Sequence, residues 1–241
     1  KISDKFEKMR SMNVCRELER KHHLIPATDN ERNQTDKVFR PVDYRAGDVK
    51  SQIASVIRHL PNYYQFQTLG EYNALLSLFN ITTEKVEGEL HGKAQQGLLY
   101  IPLDEKGERA GLPFKASLFG KNAGLPALEL HFAKCKTSQK DTLTKQTLQS
   151  AVTIALQSTN NQQAFKKQLG EQGINVVVRR NDAGRIYGIT FIDHNSKSVR
   201  NGSRLSKELS ANTFNDYWNN NIKPEIKEAA IPTTKLSTSN D

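Results

Sequence analysis

The chain has 241 residues, with 35 Lys and Arg against 26 Asp and Glu, which gives a formal net charge of +9 and a pI near 9.5. At 36% hydrophobic residues and a mean hydropathy of −0.66 it is too apolar for a wholly disordered chain, while no window approaches the roughly 20 apolar residues of a membrane span. Cys15 and Cys135 make neither a CxxC pair nor a disulfide framework, and the opening Lys1 to Lys5 has no apolar signal core, so a cytoplasmic setting is expected.

Over residues 6–24, Val14, Cys15, Leu18 and His22 recur at the three-to-four spacing of a helix, with Ser3 or Asp4 as candidate caps and Pro26 as a stop. Residues 28–36, TDNERNQTD, contain no apolar side chain and predict a solvated linker. Val49, Ile53, Val56, Ile57 and Leu60 share one face of a helix that Pro61 should end. Leu69, Tyr72, Leu75, Leu76 and Phe79 make a similar stripe over about 68–79. The period then changes. Residues 81–90 alternate weakly and 97–103 form an apolar run ending in the turn Asp104 to Gly107, a pattern that predicts a small hairpin.

Helices are expected at 125–134, 142–158 and 162–170. Ile174 to Arg180 is β-branched and strand-like, Asn181 to Gly184 is a turn, Arg185 to Asp193 is a second strand, and 198–200 is a short third. A single helix from about 203 through Trp218 should close the unit. The fold class expected is α+β, helices with small antiparallel hairpin units. Its parts are a helix at 1–27, a linker at 28–47, a helical pair with a hairpin at 48–140, a basic β unit with helices at 141–222, and a flexible tail at 223–241.

Charge is distributed unevenly along these parts. Residues 41–113 net −2, 114–160 net +4 and 161–209 net +5, so 114–209 matches the whole excess. A surplus confined to one structural unit points to a binding face for a polyanion, the alternative being the ordinary solvated face of a sheet. Arg179, Arg180 and Arg185 flank the first turn, Lys197, Arg200, Arg204 and Lys207 follow it, and Lys115 and Lys121 open the basic stretch. These nine residues are the candidate phosphate contacts, and the five arginines are expected to contribute most.

Other chemistry is poorly represented. Of the six histidines only His22 and His23 are close, and adjacent helical residues point about 100° apart. There is no HExxH, no His-hydrophobe-His and no CxxC, so no metal is expected in this chain. Asp193, His194 and Ser196 are triad residue types, but on a strand end and a tight turn they read as a hairpin connection. Tyr63 and Tyr64 could act as nucleophiles or stack on bases, though a loop anchor after Pro61 is the commoner role. The glycines reproduce no phosphate loop.

Two segments carry a resemblance. Residues 173–181 (GINVVVRRN), 184–194 (GRIYGITFIDH), 198–205 (SVRNGSRL) and 209–212 (LSAN) resemble the distal part of the relaxases, the mobilisation nucleases of Bacteroidetes mobile elements. Ile2-Ser3-Asp4 with Val14-Cys15-Arg16-Glu17-Leu18-Glu19 is similar to the helix that follows the metal-binding strand of that family. The resemblance implies a protein that binds DNA at a transfer origin during plasmid or transposon mobilisation. In the family an N-terminal tyrosine attacks a phosphodiester while a histidine-held divalent metal polarises it. Those motifs lie upstream of the segment matched here, so no catalytic residue is transferred. With no initiator Met, the chain is expected to be a C-terminal piece, inactive alone, with its metal in the upstream domain. The alternative expectation is a non-catalytic interaction module, whose closing helix with Phe214, Tyr217 and Trp218 docks an accessory mobilisation or coupling protein.

Overall fold

Two separate stretches of the chain form three-stranded antiparallel sheets, each flanked by helices, in a computed structural model that describes residues 7–22, 40–90, 93–137 and 141–222. The expected caps Ser3 and Asp4, the motif Ile2-Ser3-Asp4, the polar stretch 28–36 and the tail from 223 lie outside the described residues. The chain divides at Arg40 into two units. In the first, α1 spans Glu7–Lys21 and leaves Met12, Val14 and Leu18 exposed.

The second unit starts within the segment expected to be linker. Val42 is buried, its amide donates to the Phe79 carbonyl at 2.9 Å, and its own carbonyl accepts from Asn80 Nδ2 at 3.2 Å. Residues 41–47 therefore belong to the folded unit, because one valine among polar neighbours suffices to anchor them. In α2 (Val49–Tyr63) the stripe of Ile53, Val56, Ile57 and Leu60 is buried as expected. Pro61 does not stop this helix, which runs to Tyr63 and closes with the Tyr64 amide on the Leu60 carbonyl at 2.9 Å. A proline in the last turn removes one hydrogen bond, and the burial of Leu60 and Tyr64 on either side holds the turn.

Thr68 caps α3 (Leu69–Ser77), its hydroxyl accepting from the Glu71 amide. Asn80, at φ 55°, turns the chain into β1 (Ile81–Leu90), which pairs with β2 (Lys93–Pro102) from Ile81↔Pro102 to Leu90↔Lys93. The second strand starts at Lys93, four residues before the apolar run, because its backbone pairing with β1 continues to Leu90↔Lys93. Two residues of β3 (Phe114–Lys115) complete this sheet against Leu99 and Tyr100. Two single 3-10 turns, Ala116–Phe119 and Lys121–Ala123, then lead into α4 (Leu125–Lys136). Gly120 between them sits at φ 95°, where a side chain would be strained. The Tyr100 hydroxyl donates to the Ala123 carbonyl at 2.8 Å, fixing this loop on the sheet, and burial pushes the phenol up to about 12.

Helices α5 (Asp141–Ser158) and α6 (Gln162–Glu171), the latter capped by Asn161, precede the second sheet of β4 (Ile174–Arg180), β5 (Ile186–Asp193) and β6 (Ser198–Asn201), in that order. Its core is aromatic. Phe165, Phe191 and Phe214 meet with centroids 5.4–6.3 Å apart, surrounded by Leu148, Val152, Leu169 and Ile189.

The expected closing helix is three pieces instead: α7 (Gly202–Leu205), a 3-10 turn at Lys207–Leu209 and α8 (Ala211–Asn220), separated by extended Ser206 and Ser210. The break lets the Leu209 carbonyl fold back over Gly202, where a Cβ would lie 1.9 Å from that oxygen. Gln65 pairs in parallel with the outer edge of β6, its amide donating to the Lys197 carbonyl at 2.8 Å and its carbonyl accepting from Val199 at 2.9 Å. The expected division between 48–140 and 141–222 thus runs through one unit, which includes the described residues from Pro41 onward.

Candidate nucleic-acid interface

At the junction of α3 with β6 lies a buried carboxylate. Glu71 accepts from the Gln67 amide at 2.7 Å through one oxygen and from the Asn201 amide at 3.0 Å through the other, and Arg204 Nε stands 3.9 Å away. Arg204 also donates to the Gln67 side chain, whose amide nitrogen donates to the Cys135 carbonyl at 3.0 Å. These groups satisfy backbone donors at the start of a helix and the end of a strand, the requirement for burying a charge at acceptable cost. Arg200 is 2% exposed beside the same carboxylate. Burial pulls its guanidinium pKa down and Glu71 opposes that shift.

One of the five expected arginine contacts, Arg200, is therefore interior, and a second, Arg204, is half-buried. Arg200 is removed from the candidate set by burial, and Arg204 is held by Glu71 and Gln67 at the wall of the unit. A third, Arg179, lies across the face of β5 opposite Gly188. A Cβ at Gly188 would fall 2.7 Å from its Nε, and the guanidinium sits 5.8 Å from the Tyr187 ring centroid. Arg180, although exposed, donates to the Gly184 carbonyl at 2.7 Å, to Gln162 Oε1 at 2.7 Å and to Asn219 Oδ1 at 3.2 Å, tying the hairpin to α6 and α8. Arg185 is exposed and reaches Asn212 Oδ1 at 3.3 Å.

The lysines behave differently. Lys197 sits at φ 58° in the β5–β6 turn, exposed, with its ammonium 5.5 Å from the Tyr64 ring centroid. Lys207 is exposed in the 3-10 turn, and Lys115 and Lys121 are exposed on the first sheet and the loop beside it. None of these four, nor Arg185, makes an ion pair with a described carboxylate. Among the described residues of the acidic part three ion pairs form, Arg45 with Glu105, Lys85 with Glu87 and Arg109 with Glu84.

Lys115 and Lys121 also line a cavity of about 510 Å³ in the first sheet. Its walls are Val86, Leu98 and Leu99 on the strands and Leu125 and Pro126 at the start of α4.

Two pairs of chemically active side chains lie elsewhere. The Tyr64 hydroxyl hydrogen-bonds Nδ1 of His194 at 2.8 Å, with the histidine pKa lowered by burial and by Lys197. Cys135 Sγ is 3.3 Å from His131 Nε2 one helical turn away, and burial pushes the thiol pKa up, which keeps it protonated rather than nucleophilic. Asp193 accepts from Ser196 Oγ at 2.5 Å and from the Asn195 amide at 2.9 Å, so the triad residue types form the turn expected of them. Among the described residues no group of three or more His, Cys, Asp or Glu gathers as a metal site. No described helix is long and apolar enough to cross a membrane.

The aromatic residues of the closing helix face inward. Phe214 and Tyr217 are buried, Trp218 packs on Phe165 and Phe214, and the Tyr217 hydroxyl donates to the Thr159 carbonyl at 2.6 Å. The residues missed in the sequence are the neutral partners Gln67, Gln162, Asn212 and Asn219, together with Glu71. Only Glu71 had a legible signal, the Thr68-x-x-Glu71 spacing of a capping box. No family model, curated protein or solved structure matches the chain.

Proposed function

We propose that this chain binds DNA through its phosphate backbone, as the DNA-holding portion of a relaxase-like mobilisation protein acting at a transfer origin in the cytoplasm. Strand nicking and its divalent metal belong, in this reading, to a domain upstream. The observation that carries the proposal is the set of exposed cations, Lys115, Lys121, Arg185, Lys197 and Lys207, without a described carboxylate partner, in the part of the chain that holds the positive excess. Unneutralised, spaced cations release counterions from a nucleic acid on binding and give affinity and register without base specificity. The docking of a protein partner by Phe214, Tyr217 and Trp218 has no such support, because those rings fill the core.

The test is the affinity of the full chain for single-stranded and duplex oligonucleotides across a salt series. A steep fall of affinity with salt, at about 0.7–0.9 in log-log slope per phosphate contacted, is expected. Absence of binding at about 50 mM salt, or a flat dependence, contradicts the proposal.

A further inference from the structure

The cavity in the first sheet has a shape that general phosphate binding does not require. Gly97 on β2 lies opposite Val86, and its missing side chain leaves a gap between Val86 and Leu99 on one face of the sheet. The loop Ala116 to Leu125 forms the opposite wall, turned by Gly120. Above these walls stand Lys115, which pairs with Leu99 on β3 and so shares its face, and Lys121. Among the described residues no carboxylate lines the space. Glu84, opposite Leu99, is held by Arg109. A concavity of about 510 Å³ is in the range of small-ligand sites, and apolar walls beneath two cations suit a flat apolar ring joined to an anion.

We infer that this cavity takes one unstacked nucleotide of a single-stranded DNA segment, with the base against Val86, Leu99 and Leu125 and its phosphate on Lys115 and Lys121. A base stacked and paired in a duplex cannot enter such a space, whereas a single strand offers its bases at little cost. The inference rests on the DNA-binding reading above and adds a preference for strand form that charge alone would not produce.

Gly97→Val supplies the test, because a Cβ at Gly97 meets only Val86 Cγ2, at an ordinary 3.6 Å, and β-branched residues suit a strand. Gly88→Val, on the partner strand with nothing within 4 Å and outside the cavity, is the control. With an oligothymidylate probe, Gly97→Val should weaken binding about tenfold, the change expected from excluding one stacked or buried base. Gly88→Val should leave it unchanged, and duplex affinity should be the same in all three proteins. A second measurement needs no variant: photo-crosslinking of 4-thiothymidine-containing oligomers should map to peptides carrying Val86, Leu99 or Leu125. Full oligothymidylate affinity in a folded Gly97→Val protein, or crosslinks only elsewhere, overturns the inference while salt-steep DNA binding preserves the functional reading. Thymidine monophosphate binding as tightly as the oligomer overturns the strand assignment. Failure to bind either form of DNA overturns both.

Discussion

The two three-stranded sheets have the same antiparallel order and use their cations in opposite ways. In and beside β4-β5-β6 four of the five arginines are held by the fold: Arg200 is buried near Glu71, Arg204 bonds Gln67, Arg180 spans from the hairpin to α6 and α8, and Arg179 covers Gly188. In β1-β2-β3 and the loop beside it, Lys115 and Lys121 stand free of carboxylates at the mouth of a cavity. The difference follows from side-chain chemistry. A guanidinium presents five donors in a fixed plane and satisfies several carbonyl and amide acceptors at once, which makes it a structural cross-link. An ammonium is more strongly hydrated and stays in water. Clustered arginine is therefore weaker evidence for a phosphate site than exposed lysine in the same segment.

That contrast can be broken most forcefully at Glu71. Replacing it with Ala leaves the Gln67 and Asn201 amides without their acceptor and removes the negative charge beside Arg200 and Arg204. Unfolding free energy by urea denaturation should fall by about 3–5 kcal/mol, toward the lower end because Arg204 keeps some solvent. A loss under about 1 kcal/mol would show that the arginines of the second sheet are not structural. Next comes Gly202→Ala, which places a methyl group 1.9 Å from the Leu209 carbonyl. Its cost should reach or exceed the upper end of the roughly 1–3 kcal/mol typical of overpacking, with thermal unfolding as the measure.

A smaller effect is expected from pH. Burial lowers the pKa of His194 and His131 below the ordinary histidine value, so between the folded and unfolded pKa values the unfolded chain binds more protons. Stability should rise with pH through the interval below about 6.5 and level off above it. His194→Gln should flatten part of that slope in denaturation curves taken at successive pH values. The smallest stability effect belongs to the first sheet: Lys115→Ala with Lys121→Ala should alter unfolding free energy by no more than about 0.5 kcal/mol, as exposed residues without partners do.

The elements with strong periodicity were legible in the sequence, as the buried stripe of α2 and the β4 and β5 hairpin show. Three features were not. Pro61 is tolerated because it falls in the final turn, a position fixed by packing on both sides rather than by the local sequence. The split of the closing helix depends on the Leu209 carbonyl meeting Gly202, a close approach of backbone that no periodicity encodes. For the candidate interface, net charge located the basic segment but could not separate inward from outward cations. That separation depends on Glu71, 129 positions before Arg200 in the chain, and on neutral amides whose side chains carry no charge to count.

The central claim is that the exposed Lys115, Lys121, Lys197 and Lys207, with Arg185, meet the polyanion rather than Arg179, Arg180, Arg200 and Arg204. It is tested most directly by the salt dependence of DNA binding in a variant with Lys115, Lys121, Lys197 and Lys207 all replaced by Ala. The log-log slope should fall by about three, from roughly 0.7–0.9 lost per phosphate contact, while urea unfolding stays close to that of the parent chain. An unchanged slope in that folded variant would contradict the account.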